Sequence, residues 1–591
     1  VWGGRTAPTP TESAPPELSR KESIVRFWSF FPLAAALAAQ TQTGEITTRD
    51  QTPTFQSSVN LVRVPVVVRD KKGQAVGSFH KEDFHLTERG KPQSIAQFAI
   101  EGSAVPKPAA PPAAPAETPG EPTAEGSKLV VPTRFVAFVF DDVHLKMEDL
   151  MNARVAALKH IEQGIPPQER VALLTLSGKV TLEFTDDAAK FREMLMKIVT
   201  VPPPTHFPPA SFYEGDIFMR NPGDEQAQLG NPSMPEVLTM QTYVTMGCFP
   251  GMLASTAVNI ARTTLRSVAN EGSGAAVNAF RTLNNIVRLL GAMPGDRVMI
   301  LVSPGMYLPD ELQRELSESI DRATRSGVII NTLDARGVYA PDPTGEVPGC
   351  PPMDSQAGLL VARYNNFAAS AEGLILSDLA HATGGTALAQ NDFLEELNRL
   401  SSPPEFVYYL GFYPKDLKPD GKFHEIKVAL ANGKGFSVQA RKGYWAPSHV
   451  EDAAAAVTRE IGEAVFSHDE LFDLPIDIHS QFYKTGTGDA KLKVTTHFDI
   501  RRLPLRKQDD RNQDDVTLVC ALFDRNGNYV KGTQKVVELR LKDENLDHRR
   551  AAGVTVNADF DLKSGAYLIR VVARDAEGQQ MAAANGVVEI P

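Results

Sequence analysis

Two adjacent acids, Asp141 and Asp142, and then His144 stand directly after an apolar run in RFVAFVFDDVHL at 134–145. Carboxylates and an imidazole at this spacing can hold a divalent cation, move a proton or pair with a base. The run before them, rich in Phe and Val, reads as a strand buried on both faces. In open α/β sheets, ligand sites lie at the carboxyl ends of such strands. Ser303 closes a second run of this kind, RVMILVS, and Asp334 a third, GVIINTLD. Asp141, Asp142, His144, Ser303 and Asp334 can therefore meet at one sheet edge, where histidine with carboxylates suits Zn²⁺ or another transition metal. The commoner fate of such groups is structural, and the sequence reading favours it. Asp142 and Asp334 would cap helices or pair with Arg336, and His144 would be a turn residue.

Other motifs carry less chemistry. There is no HExxH pair and no nucleophile with a positioned base. Gly272-Ser273-Gly274 reads as opening a helix but follows no strand, which excludes a dinucleotide-binding turn. Asp524-Arg-Asn526-Gly-Asn528 has oxygen-bearing spacing but lacks the downstream glutamate of a Ca²⁺ loop, and reads as a hairpin turn. Cys520, within VTLVCALF, reads as a buried strand residue. Cys248 and Cys350 lie in Gly/Pro-rich stretches, GCFPG and PGCPP, and are expected to pair with each other in an oxidising compartment.

The elements that position these residues follow from the patterning of the 591 residues, which are 42% hydrophobic and 23% charged, as folded domains are. A net charge of -11 and the lack of a basic patch argue against a nucleic-acid surface. Arg20, Lys21 and Arg26 precede a short apolar segment ending in small residues, so 1–39 reads as a secretory signal with an upstream extension. No later segment is long and apolar enough to span a membrane. Residues 40–55 are polar and are expected to be disordered. An antiparallel β-unit is expected at 55–101, a Pro/Ala-rich linker at 102–128, and alternating strands and helices at 130–400 forming a doubly wound sheet.

Insertions at 201–274 and 339–362 interrupt that sheet domain and carry the two cysteines. Strands at 405–447 are expected to complete the β-unit, so that the α/β domain is inserted in a small β-module. A helix and about seven short strands at 452–591 read as an immunoglobulin-like β-sandwich.

The series FVAFVFDDVHL, LTLSG, MPGDRVMILVSPG, GVIINTLDARGVY, LAHATGG, FVYYLGFYP, DGKFHEIKV and VQARKGYWAP resembles the von Willebrand factor A-related proteins of the Acidobacterial type, over roughly residues 55–447. The resemblance implies a Rossmann-like A domain, secretion and a binding role. Many A domains hold Mg²⁺ through an Asp-x-Ser-x-Ser motif, a Thr before a later helix and an Asp after the fourth strand. With Asp141 in the first place, Val143 and Leu145 occupy the two Ser slots. Gly274 takes the Thr slot, with Ser273 the nearest hydroxyl, and Ser303-Pro-Gly305 stands where the later Asp belongs. The implied adhesion site is degenerate, because Mg²⁺ tolerates few losses of oxygen ligands.

The expectation is thus an exported, non-enzymatic protein-binding or adhesion-type protein. It would be secreted, periplasmic or at the cell surface, have a protein partner and need no cofactor. A divalent cation at Asp141, Asp142, His144, Ser273, Ser303 and Asp334 is the group it could hold. The alternatives are an architectural cell-envelope component and a metalloenzyme with a non-standard Asp/His site.

Overall fold

The computed structural model describes residues 45–591 except 52–61, 72–74, 103–130, 202–205, 208, 221–235, 339–346, 348–349, 352–354, 402–405, 415–419, 421, 432, 447–452, 468–469 and 577–579. The signal read at 1–39 and nearly all of the linker lie outside the described residues. Arg134–Phe140 is buried at every position. It runs parallel to Glu169–Thr175 on one side and to Asp296–Ser303 on the other. Val328–Asp334 and Ala387–Leu388 extend the sheet in parallel, and Thr181–Thr185 closes the other edge antiparallel. Helices cover both faces, so alternate residues of the central strand enter different cores. Phe135, Ala137 and Val139 pack with Phe280, Leu283 and Leu290 of one helical layer. Val136, Phe138 and Phe140 pack with Leu150, Ala157 and Phe191 of the other. Two buried faces are the reason this strand is apolar throughout instead of alternating.

One helix, Ala254–Gly291, is 38 residues long. At 1.5 Å per residue it spans about 57 Å, roughly twice the length of an eight-residue strand. Its C-terminal half lies on the sheet, and its N-terminal half therefore overshoots the carboxyl edge. There it joins Phe212–Met219, Glu236–Cys248 and the start of Ser355–Thr383 in a separate apolar cluster that includes Phe218, Leu238, Met240, Leu265 and Tyr364. The two insertions thus build a helical cap over the edge that carries the acids. Cys248 and Cys350, 102 residues apart in sequence, are joined by a disulfide within it.

The glycines of this cap act by their missing side chains. A Cβ on Gly215 would come within 2.8 Å of the backbone of the long helix at Leu265 and Ala269, and one on Gly272 would strike the Phe212 ring. Gly272-Ser273-Gly274 therefore does not open a helix. It lies inside one, at the point where an aromatic ring from the cap needs a bare backbone to pack against.

The β-module consists of two four-stranded antiparallel sheets. Ser437–Ala440, Val62–Arg69, Phe406–Phe412 and Gln97–Gly102 form one, and Gly443–Trp445, Phe423–Leu430, Phe84–Glu88 and Lys91–Gln93 the other. Each sheet takes strands from both sides of the α/β domain, around a shared core of Val64, Val66, Tyr408 and Leu410. Buried Glu88 from the first flank meets His424 Nδ1 at 2.7 Å and accepts from Tyr444 Oη at 2.5 Å, both from the second.

The C-terminal sandwich stacks a seven-stranded sheet on a three-stranded one around Leu492, Leu518, Val537 and Phe560. Its first strand comes from the other end of the chain. Ile46–Gln51 pairs antiparallel with Tyr529–Leu541, Ile46 opposite Leu539 and Gln51 opposite Gln534. The expectation of disorder at 40–55 is wrong for these six residues. Five of the six side chains are polar and cannot build a core, but an edge strand is held by its backbone; Ile46 packs on the sandwich core and Asp50 adds an ion pair to Lys535 at 3.1 Å. The turn at Asp524 docks the sandwich on the amino end of the α/β sheet. Gly527, at φ +85°, sits against the Phe135 ring, and Arg525 pairs with Asp186 at 2.7 Å.

Candidate functional site

Asp141 is fully buried at the carboxyl end of its strand. The chain turns sharply after it, so the backbone amides of Val143 and His144 donate to its Oδ1 at 3.2 and 3.0 Å. The same turn returns the His144 ring, whose Nδ1 lies 2.9 and 3.0 Å from the two carboxylate oxygens. From the neighbouring strand, Ser303 Oγ donates to Oδ2 at 2.6 Å and accepts from Gly305 N at 3.0 Å. Burial alone would raise the Asp141 pKa, but the His144 charge and these hydrogen bonds hold it below the ordinary carboxylate value. Burial likewise disfavours a charged His144, yet the Asp141 carboxylate outweighs it and raises the imidazole. The ring is about a quarter exposed, and its Nε2 makes no hydrogen bond among the described residues.

The other acids point elsewhere. Asp142 accepts from the backbone and hydroxyl of Ser177, in the turn between the next two strands, at 2.9 and 2.5 Å. Asp334 is held by Arg336, whose Nε and Nη2 donate at 3.0 and 2.8 Å, and Arg336 reaches on to Glu372 at 3.4 Å. Ser273 lies in the middle of the long helix and not in a loop before one, so the hydroxyl expected from that loop is not presented from one. Of the six candidate residues, Asp141, His144 and Ser303 converge, Asp142 and Asp334 are paired outside that group, and Ser273 belongs to the cap.

These residues do not fit a resident Mg²⁺ or Zn²⁺. Asp141 has both oxygens occupied by four donors, so the cluster leaves a metal a single ligand atom, His144 Nε2. Among the described residues no group of three His, Cys, Asp or Glu is placed to hold a metal ion. The cluster instead fixes the geometry of the edge: Asp141 ties the turn at 142–144 to the loop after Ser303, which the cap then covers.

A second network joins that loop to the cap. Tyr307 Oη donates to Asp216 at 2.6 Å, and Arg220 bridges Asp216 at 2.7 Å and Asp310 at 2.5 Å. Buried Glu214 accepts from Ser211 N at 3.0 Å and from Gln241 Nε2 at 2.9 Å, and burial pushes its carboxyl up to about 7. Sequence reading missed Ser177, Glu372 and the Tyr307–Asp216–Arg220 network. Ser-x-x-Glu at 211–214 was a legible capping signal for the helix that carries Asp216, but no spacing rule links it to a tyrosine 91 residues away.

The outside of the cap is apolar in places where the rest of the edge is saturated. Leu253 and Leu359 are 73% and 69% exposed, and Phe207 and Phe249 meet edge to face at 5.5 Å with both rings open to solvent. Arg363 lies over the exposed Phe367 ring at 5.5 Å and pairs with Glu236 at 2.8 Å.

No helix among the described residues is long and apolar enough to cross a membrane. No family model matches the chain. No curated protein matches it either. Among solved structures, an aerotolerance-related membrane protein from Bacteroides fragilis is similar at 11% identity and a TM-score of 0.20, over 45% of this chain and 96% of that one. BatB from Bacteroides thetaiotaomicron is similar at 10% identity and a TM-score of 0.20, over the same shares. The human COPII-coat protein Sec24c overlaps 78% of this chain and 44% of its own at 10% identity and a TM-score of 0.16. Overlaps this slight carry no argument, and the fold described above rests on strand order and register alone.

Proposed function

We propose that the chain is an exported, non-enzymatic protein-binding protein. In this reading its α/β domain is a von Willebrand factor A-like domain that engages its partner through the disulfide-clamped cap and not through a cation. The observation that carries the reading is the contrast at the carboxyl edge. Asp141 is saturated by His144, Ser303 and two amides, while the cap above it leaves Leu253, Leu359, Phe207 and Phe249 exposed. The Phe207–Phe249 pair joins two of these side chains into a piece of exposed apolar surface, and contiguous apolar surface marks interaction sites. A disulfide across the two insertions supports export, because such bonds persist in oxidising compartments.

Calorimetric titration of the purified chain with Mg²⁺, Mn²⁺ and Zn²⁺ tests the cation half of this reading. The expected result is no stoichiometric binding. Tight one-to-one uptake that disappears in Asp141→Asn would replace it with a metal-dependent site.

A further inference from the structure

The two sides of the C-terminal sandwich are finished differently. On one side Ile46–Gln51 covers the edge of the larger sheet, and Asp543–Ala552 forms a helix leading into the edge strand of the smaller one, Val554–Lys563. On the other side the larger sheet ends in Met581–Ile590, of which the two-residue strand Leu471–Phe472 pairs only with Ala582 and Ala583. The smaller sheet ends in Ile476–Gly486, which pairs with Asp489–Phe498 alone. Ile478 lies beside Gly586, so the two open edges are stacked on one side.

Among the described residues, none from Ile476 to Gly486 hydrogen-bonds outside Asp489–Phe498. Phe482 stands opposite fully buried Leu492, on the face that looks into the sandwich, yet it is 38% exposed because no strand follows it. An eleven-residue strand with a free row of amides and carbonyls is a template for another strand.

We infer that this edge joins the same strand of a second copy of the chain, antiparallel, about a two-fold axis at Ser480. That register sets Ile478 of each copy opposite Phe482 of the other on the inner face, closing the gap beside Phe482. On the outer face it sets His479 opposite Gln481 and Asp477 opposite Tyr483, with no like charges opposed. Lys484 falls opposite Ile476 at the end of this ladder; moving the axis to Gln481 brings that lysine against Ile478 and sets Phe482 against Ser480, so the Ile478–Phe482 pair is lost. Moving it to His479 shortens the pairing to 476–482 and sets Ile478 against Ser480. The ladder is interrupted by a bulge between Lys484 and Gly486, and a bulge with a lysine beside it stops further strands from adding. A two-fold contact uses each edge once, so the product is a closed dimer and not a filament.

Ser480→Cys in the full chain tests this pairing directly. The axis places residue 480 opposite its own copy, with Cα atoms about 4.5–5.5 Å apart, inside the range a disulfide spans. The chain's own cysteines do not interfere, because Cys248 and Cys350 are bonded and Cys520 is buried.

The expected result is a covalent dimer of Ser480→Cys under mild oxidation and none for Thr495→Cys on the central strand. The unsubstituted chain should sediment as a dimer, and Phe482→Lys should weaken that dimer by about tenfold or more at an unchanged melting temperature. A monomer at every concentration, or a dimer that neither cross-links at 480 nor responds to Phe482→Lys, overturns the inference. A monomer whose edge is protected only by an added extended peptide overturns it in favour of a foreign strand.

Discussion

The carboxyl edge of the sheet and the cap above it handle polar and apolar groups in opposite ways. At the edge, every acid has found a partner inside the chain: Asp141 in His144 and Ser303, Asp142 in Ser177, Asp334 in Arg336. In the cap Glu214 and Asp216 are partnered too, but the outer surface keeps large apolar side chains in water. A saturated cluster holds shape and offers a partner little, whereas exposed apolar area gains free energy only when something covers it. On the proposed reading, the place where the fold makes ligand sites is not the place where this chain binds.

Replacing Asp141 by alanine breaks the edge most severely. It leaves an imidazole, a hydroxyl and two amides facing an empty buried site, and should cost about 3–5 kcal/mol in urea unfolding. Asp141→Asn should keep much of the stability while His144 loses its raised titration, falling back toward or below 6.5 in an NMR pH series. If Asp141→Ala is silent, the cluster is not what holds the edge.

Removing the disulfide with Cys248→Ser and Cys350→Ser attacks the cap alone. A loop of 102 residues is closed by this bond, and its loss should cost about 2–4 kcal/mol. Hydrogen exchange should rise in Glu236–Cys248 and the start of Ser355–Thr383 while the amides of 141–144 stay protected. Equal loss of protection in both regions would mean that cap and edge are one cooperative unit.

The cap should also carry a pH response of its own. The folded pKa of Glu214, about 7, lies above its ordinary 4.5. The stability it contributes is therefore fully present below 4.5 and is lost as pH rises through about 7, by on the order of 3 kcal/mol. Glu214→Gln, which keeps a hydrogen-bonding group but cannot ionise, should flatten that dependence in thermal melts between pH 5 and 9. The smallest effect is expected for Ser177→Ala, about 1 kcal/mol, since Asp142 then loses one hydroxyl and keeps the backbone amide.

What the sequence made legible divides along the same line. Arg134–Phe140 and Asp296–Ser303 announce themselves as doubly buried strands, because two cores demand an unbroken apolar run. Asp334 with Arg336 was readable as an ion pair from neighbours two residues apart. The geometry of Asp141 was not, because the return of His144 Nδ1 depends on how the chain turns after the strand.

The cap was misjudged at its centre. Two glycines around Ser273 look like a helix start, but Gly272 lies inside a helix where the Phe212 ring needs a bare backbone, while Gly274 faces open space. The edge strand Ile46–Gln51 escaped for a different reason. Nothing in one isoleucine followed by five polar residues points to a partner nearly 500 positions away, and backbone pairing leaves no mark in side-chain pattern.

The most direct test of the central claim is the affinity of a partner captured from the source envelope, measured on the purified chain with and without EDTA. Two variants decide it: Leu253→Asp with Leu359→Asp on the cap, and Asp142→Ala at the edge. The account predicts that the cap variant loses about tenfold or more in affinity, and that EDTA and Asp142→Ala change little. Binding abolished by EDTA or by Asp142→Ala, with the cap variant unaffected, would contradict it.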